Sequence, residues 1–158
     1  MKHSQHNLGY FVGTSARLMR NAMHHRMKEN GYDLTIEQLF IIKILHRSDG
    51  LSQQVLADYF SKDKGSITRI INTMEDGNLV VRIPDKIDKR SKLIYLTPFG
   101  KKLHQEIHKI ILDFNESLTS EISKEDLNQC VTVLEKIIDK LCNHDVACAT
   151  KIGNISNS

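Results

Sequence analysis

A mainly helical fold with one small β-hairpin is what this sequence predicts, on three observations. Apolar residues recur at helical spacing over most of the chain. Near residue 79 that period gives way to alternation, and it returns after residue 96. Thr35, Ser52, Thr97 and Ser123 stand where helix N-caps belong.

The 158 residues are one domain's length and bury a sizeable core. No apolar run approaches the roughly 18 residues of a membrane span. The opening MKHSQHNLGYF lacks the apolar stretch of a signal peptide. A cytoplasmic protein without membrane attachment is therefore expected. Cys130, Cys142 and Cys148 are odd in number and form no CxxC pair, which fits reduced thiols.

The first helix is expected from about Asn7 to Glu29, with Leu8, Phe11, Val12, Leu18, Met19, Ala22, Met23 and Met27 on one stripe and Gly31 as its stop. Thr35 and Gln38 form a capping box for the second, stapled by Leu34 and Leu39. That helix runs through Ile41, Ile42, Ile44 and Leu45 to the Asp49-Gly50 turn. Ser52 caps a short third helix carrying Leu56, Ala57 and Phe60. A break at Ser61-Lys62 opens a fourth, from about Asp63 to Asp76, with Gly77 expected as its left-handed cap. Leu79–Ile83 and Lys92–Leu96 alternate as strands around a polar loop from Pro84 to Ser91. Thr97 and Pro98 start the fifth helix, and Ser123 caps the sixth.

Charge is unevenly spread. Residues 62–102 hold ten lysines and arginines against five acids, so that stretch carries +5 and the rest of the chain −2. A basic segment on a mildly acidic body is what phosphate binding requires.

The third and fourth helices read as a helix-turn-helix. Ala57 is small enough for two helices to cross closely, and Leu56, Phe60, Ile67 and Ile70 fill the wedge between them. Many such turns hold a glycine; here Ser61 stands there. The fourth helix has two faces. Ile67, Ile70, Ile71 and Met74 form the buried stripe. Gly65, Thr68, Arg69 and Asn72 repeat that spacing about 200° away and face outward. Arginine can bond guanine O6 and N7, asparagine can pair with adenine N6 and N7, and Gly65 lets backbone approach backbone. Lys64 and Ser66 complete the candidate recognition helix, and Ser52 offers a phosphate contact at a helix N-terminus. The hairpin tip carries Lys86, Asp88, Lys89, Arg90 and Lys92, a basic wing in which Asp88 is expected to pair with and aim Arg90. The fold is thus a winged helix-turn-helix.

At this point the sequence resembles a known family. Asp88-x-Arg90-x5-Leu96-Thr97-x2-Gly100 is similar to the wing signature of the MarR family. Asp63-Lys64-Gly65-Ser66-Ile67-Thr68-Arg69 resembles its recognition-helix start, and Gly77-Asn78-Leu79-Val80 its helix-to-wing junction. The resemblance implies a single domain over 1–158. Within it, 33–100 is the DNA-binding part and 5–30 and 101–142 are dimerisation helices; 143–158, small and polar in composition, is expected to be a flexible tail. It also implies a homodimeric regulator of transcription, expected to be a repressor. Such a dimer binds a pseudo-palindromic operator in double-stranded DNA and is released by a small-molecule effector. The apolar stripes of helices one, five and six exceed what a small winged-helix core needs, which points independently to a partner subunit.

An effector pocket is expected among Tyr10, Phe11, Met23, Phe40 and Phe114. His104 and His108 lie at i, i+4, a spacing that can hold one metal ion if His24, His25 or Glu37 joins. A metal-responsive regulator is therefore one alternative, and a winged-helix protein-interaction module without DNA readout is another. Catalysis is not expected, because no GxSxG, HExxH, P-loop or Rossmann fingerprint occurs. No cofactor is called for.

Overall fold

The structure is a computed structural model, and it describes residues 8–89 and 91–142. Arg90, Cys148, the side chain of Cys142 and the expected tail from residue 143 lie outside the described residues. Among the described residues, six helices and a three-stranded sheet follow one another as α1 (Leu8–Glu29), α2 (Ile36–Arg47), β1 (Leu51–Ser52), α3 (Gln53–Phe60), α4 (Lys64–Asp76), β2 (Val80–Pro84), β3 (Lys92–Leu96), α5 (Pro98–Thr119) and α6 (Lys124–Cys142). Mainly helical architecture with a small hairpin is what the periodicity predicted.

The local signals act as expected. Thr35 and Gln38 close a capping box on α2, with the Gln38 N–H bonded to Thr35 Oγ1 at 3.2 Å and the Thr35 N–H to Gln38 Oε1 at 2.9 Å. Leu34 and Leu39 beside it are buried. Gly31 adopts a left-handed φ of 83° after α1.

Two features depart from the sequence reading. The left-handed residue after α4 is Asn78 (φ 55°), not Gly77 (φ −80°). Leu79 N–H bonds Met74 O at 2.8 Å and Asn78 N–H bonds Glu75 O at 2.9 Å, which is a Schellman closure with asparagine in the left-handed place. Asparagine tolerates that region better than other non-glycine residues, so the helix closes one residue later than glycine alone suggests. The second departure is β1, which pairs antiparallel with β3 through Leu51↔Ile94 and Ser52↔Leu93, so the sheet order is β1-β3-β2. Two residues are too few to show alternation.

The core lies where the helix-turn-helix meets α2, β3 and α5. Met27, Ile41, Ile42, Leu45, Leu56, Ile67, Ile71, Met74, Ile94 and Ile107 are almost fully buried there. Ala57, 1% exposed, sits at the α3–α4 crossing as its size requires. α1 and α6 take little part: Met27 is the buried residue of α1, and no described side chain of α6 is buried. Leu8, Phe11, Leu18, Val131, Val133 and Leu141 all remain exposed.

Candidate nucleic-acid interface

α4 is launched by its cap. Ser61 takes the turn in a left-handed conformation (φ 48°), the one a glycine would supply. Asp63 then accepts from the Ser66 N–H at 2.8 Å and the Ser66 hydroxyl at 2.6 Å. Those bonds from Ser66 hold the Asp63 carboxyl below the ordinary aspartate range. A β-carbon on Gly65 would press on this carboxylate at 3.1 Å. Ser66 is therefore occupied with capping, and its hydroxyl is turned back onto Asp63. Ser52 likewise spends its oxygen on the Val55 N–H at 3.2 Å, at the start of α3.

The outward face of α4 is built as the sequence predicts. Gly65, Arg69 and Asn72 are exposed and Thr68 is half-buried, while Ile67, Ile71 and Met74 point into the core. Two of these residues have partners that sequence reasoning missed. Thr68 Oγ1 accepts from Gln53 Nε2 at 2.8 Å and donates to Lys64 O at 2.7 Å. Asn72 Oδ1 accepts from Arg82 Nη2 at 2.6 Å. Arg82 is in turn locked to Glu75: its Nη1 donates to Oε2, and its backbone N–H donates to Oε1 at 3.2 Å. Spacing along one element cannot reveal such pairs, because they join α3 to α4 and β2 to α4.

The wing tip is a tied turn. Asp85 N–H bonds Ser91 O at 2.9 Å, Ser91 N–H bonds Asp88 O at 2.8 Å, and Ile87 N–H bonds Asp85 Oδ1 at 3.0 Å. Lys86, Asp88, Lys89 and Lys92 are exposed on it. The expected pairing of Asp88 with Arg90 involves a residue outside the described ones.

The ion pairs sort the cations of residues 62–102. Lys62 pairs with Glu37, Arg82 with Glu75, Lys101 with Asp49 and Lys102 with Glu106. Among the described residues, Lys64, Arg69, Lys86, Lys89 and Lys92 form no ion pair within the chain. The uncompensated charge thus lies on α4 and the wing.

An apolar cleft of about 260 Å³ opens between α1, α2 and α5. Met23, Phe40 and Phe114 line it as expected, with Arg20 and Lys43 among its walls. Tyr10 and Phe11 do not line it. They sit near the start of α1, 59% and 56% exposed, packed edge to face on each other. More than three helical turns separate them from Met23, and the stripe that Phe11 shares with Met23 conceals that distance.

His104 stacks on His46 of α2 at 3.7 Å between ring centroids and lies 5.8 Å from His108. Burial, then His46, His108 and Lys43, push the His104 imidazole down to about 4. The side chains considered as a third ligand are engaged elsewhere: His24 with Leu34 O, His25 with Glu29 and Glu37 with Lys62. Among the described residues no three His, Cys, Asp or Glu side chains converge on a metal position.

The family model for MarR matches residues 34–92, which span α2 to the start of β3. The HTH-type transcriptional regulator FarR of Neisseria gonorrhoeae is 28% identical over 143 residues, covering 89% of this chain and 95% of that protein. A MarR transcriptional regulator from Methanosarcina mazei Go1 superposes with a TM-score of 0.75 at 27% identity, over 86% of this chain and 96% of that one. S. aureus MepR, crystallised as a DNA complex, shares the fold with a TM-score of 0.76 at 24% identity, over 86% and 99% of the two chains. With the capped recognition helix, the basic wing and the Leu96-Thr97-x2-Gly100 junction all in place, the chain is similar to the MarR family of winged-helix transcriptional regulators, whose family model it matches over residues 34–92 and whose fold it shares.

Proposed function

We propose that the protein regulates transcription by binding a specific duplex sequence as a homodimer, acting as a repressor. α4 enters the major groove and the wing follows the backbone toward the minor groove. The observation that carries this reading is the placement of unpaired cations: Lys64, Arg69, Lys86, Lys89 and Lys92 lie on the two elements such a dock presents to DNA. Arg90 follows Lys89 in the sequence and adds one more positive charge to that stretch. Arg69 and Asn72 serve base edges, while Lys64, Ser52 and the wing lysines serve phosphates. The S. aureus MepR–DNA complex, of the same fold, supports the docking mode. The dimer rests on the apolar side chains of α1 and α6 that the chain leaves exposed. With DNA as its partner, and no described helix long and apolar enough to cross a membrane, the cytoplasm is its place of work. No catalytic step is assigned to it.

The cleft supports a second element of the proposal. Its lining is apolar, and Arg20 and Lys43 bring positive charge, so it suits an amphipathic acid as effector. The cleft lies between the long helices and the reading head, where an occupant can bias their packing and so release DNA.

A salt titration of duplex binding tests the central claim. The logarithm of affinity should fall steeply and linearly with the logarithm of salt concentration, as counterion release demands. A salt-independent interaction would instead support a protein-interaction module.

A further inference from the structure

The bond between Arg82 and Asn72 fixes what Asn72 can read. Only the carbonyl oxygen of an asparagine can accept from a guanidinium, so the 2.6 Å contact from Arg82 Nη2 assigns Oδ1 and leaves Nδ2 as the free end. Arg82 cannot swing away. Its side chain is only 13% exposed, and Glu75 holds it through both the guanidinium and the backbone N–H. Asn72 itself is exposed on the outward face of α4.

Pairing with adenine needs both ends of the amide: Oδ1 takes the N6 amino proton while Nδ2 donates to N7. Here Oδ1 is committed to a charge-assisted bond, and the guanidinium beside it repels a second N–H donor. Adenine then keeps N7 alone for the free Nδ2, beside an N6 amino group left without its acceptor, whereas guanine presents two acceptors, O6 and N7, and thymine presents O4. One turn earlier Thr68 is committed in the same sense. Its hydroxyl proton goes to Lys64 O and its oxygen takes the Gln53 amide proton, which leaves the methyl group uncommitted. Arg69 carries donors alone.

We propose that Arg82 is a positioning residue that makes Asn72 a donor-only reader, so that the base facing Asn72 is guanine or thymine in preference to adenine. This inference rests on the DNA-binding reading above and reverses the adenine pairing expected from residue type alone.

Selection of the full-length protein on random-sequence duplexes tests it, with parallel selections on Asn72→Ala and Arg82→Lys. Asn72→Ala identifies the position Asn72 governs, because preference relaxes there and nowhere else. In the wild type that position should select guanine or thymine on one strand, with adenine disfavoured roughly tenfold. Arg82→Lys keeps a cation for Glu75 and loses the second nitrogen to Asn72. It should bring adenine to near parity at that position and leave the base set by Arg69 unchanged. A wild-type preference for adenine there, or an Arg82→Lys motif identical to wild type, overturns the proposal while leaving DNA binding intact. Relaxation across the whole site in Asn72→Ala also overturns it. A protein that enriches no sequence overturns the DNA reading and this inference with it.

Discussion

A β-carbon on Gly100 would stand 2.2 Å from the carbonyl oxygen of Leu79. That oxygen accepts the Thr97 N–H at 3.1 Å, and Thr97 Oγ1 donates to Asn78 O at 2.6 Å while capping the Gly100 N–H at 2.9 Å. The Leu-Thr-x-x-Gly pattern is thus a weld. It joins the end of the recognition helix to the start of α5, and it works only if the first turn of α5 can lie against bare backbone. Gly100→Ala should cost about 3 kcal/mol, at the upper end of overpacking effects, because the clash is with backbone and not with a yielding side chain. Urea unfolding measures it. A midpoint equal to wild type with unchanged slope would show that the junction gives way freely.

Phosphate and base contacts separate by mutation. Arg69→Ala should cost about 1–3 kcal/mol on the preferred site and little on random duplex, flattening discrimination. Lys86→Ala and Lys89→Ala should weaken both duplexes alike and each reduce the salt slope by about 1. Binding to preferred and random duplexes at several salt concentrations gives both quantities. Equal losses from Arg69→Ala on the two duplexes would contradict its role in base reading.

Leu18 and Leu141 expose 54% and 69% of their surface on helices that pack little of themselves against the chain. If a second copy covers them, a carboxylate at either place buries an unpaired charge in the interface. Leu18→Glu and Leu141→Glu should shift the sedimentation equilibrium toward monomer, and DNA affinity should fall because two half-sites are no longer engaged together. The isolated fold should keep its stability, since neither side chain enters the core. A wild-type protein that sediments as a monomer sinks the dimer outright.

These tests divide along the line between what was local and what was not. Caps, staples and helix stripes involve residues within a turn or two of each other, so Thr35–Gln38, Ser52–Val55 and Thr97–Gly100 could be read directly from the sequence. The outward face of α4 followed from the same periodicity. What could not be read are contacts whose partners meet only after folding. Gln53 reaches Thr68 across the helix-turn-helix, Arg82 reaches Asn72 from the wing, and Asp49 accepts the Leu96 N–H at 2.9 Å from 47 residues away. Arg82 counted as DNA-binding charge in composition, yet Glu75 neutralises it. Tyr10 and Phe11 do not line the cleft for a related reason: helical spacing fixes which side of a helix a residue such as Phe11 occupies but not which neighbour it meets along the axis.

The His46–His104 stack joins α2 of the reading head to α5, and it makes the fold sensitive to acid. Burial, then the neighbouring His46, His108 and Lys43, lower the His104 imidazole from 6.5 in the ordinary chain to about 4. Above about pH 6.5 it is neutral in both the folded and the unfolded protein, so it adds no pH dependence. Between about 6.5 and 4 the unfolded chain binds a proton there that the folded chain refuses. Unfolding free energy must therefore fall as pH drops through that window, and level off below it as far as this group is concerned. Carboxylates titrate in the lower part of the same range, so the wild-type profile alone does not isolate the effect. His104→Phe does, because it keeps an aromatic ring against His46 and removes the titrating nitrogen. Denaturant unfolding of both proteins from pH 7.5 to 4 should give curves that diverge steadily below about 6.5, the variant losing less stability. Parallel curves would mean that His104 protonates as readily folded as unfolded, and that the stack does not oppose its charge.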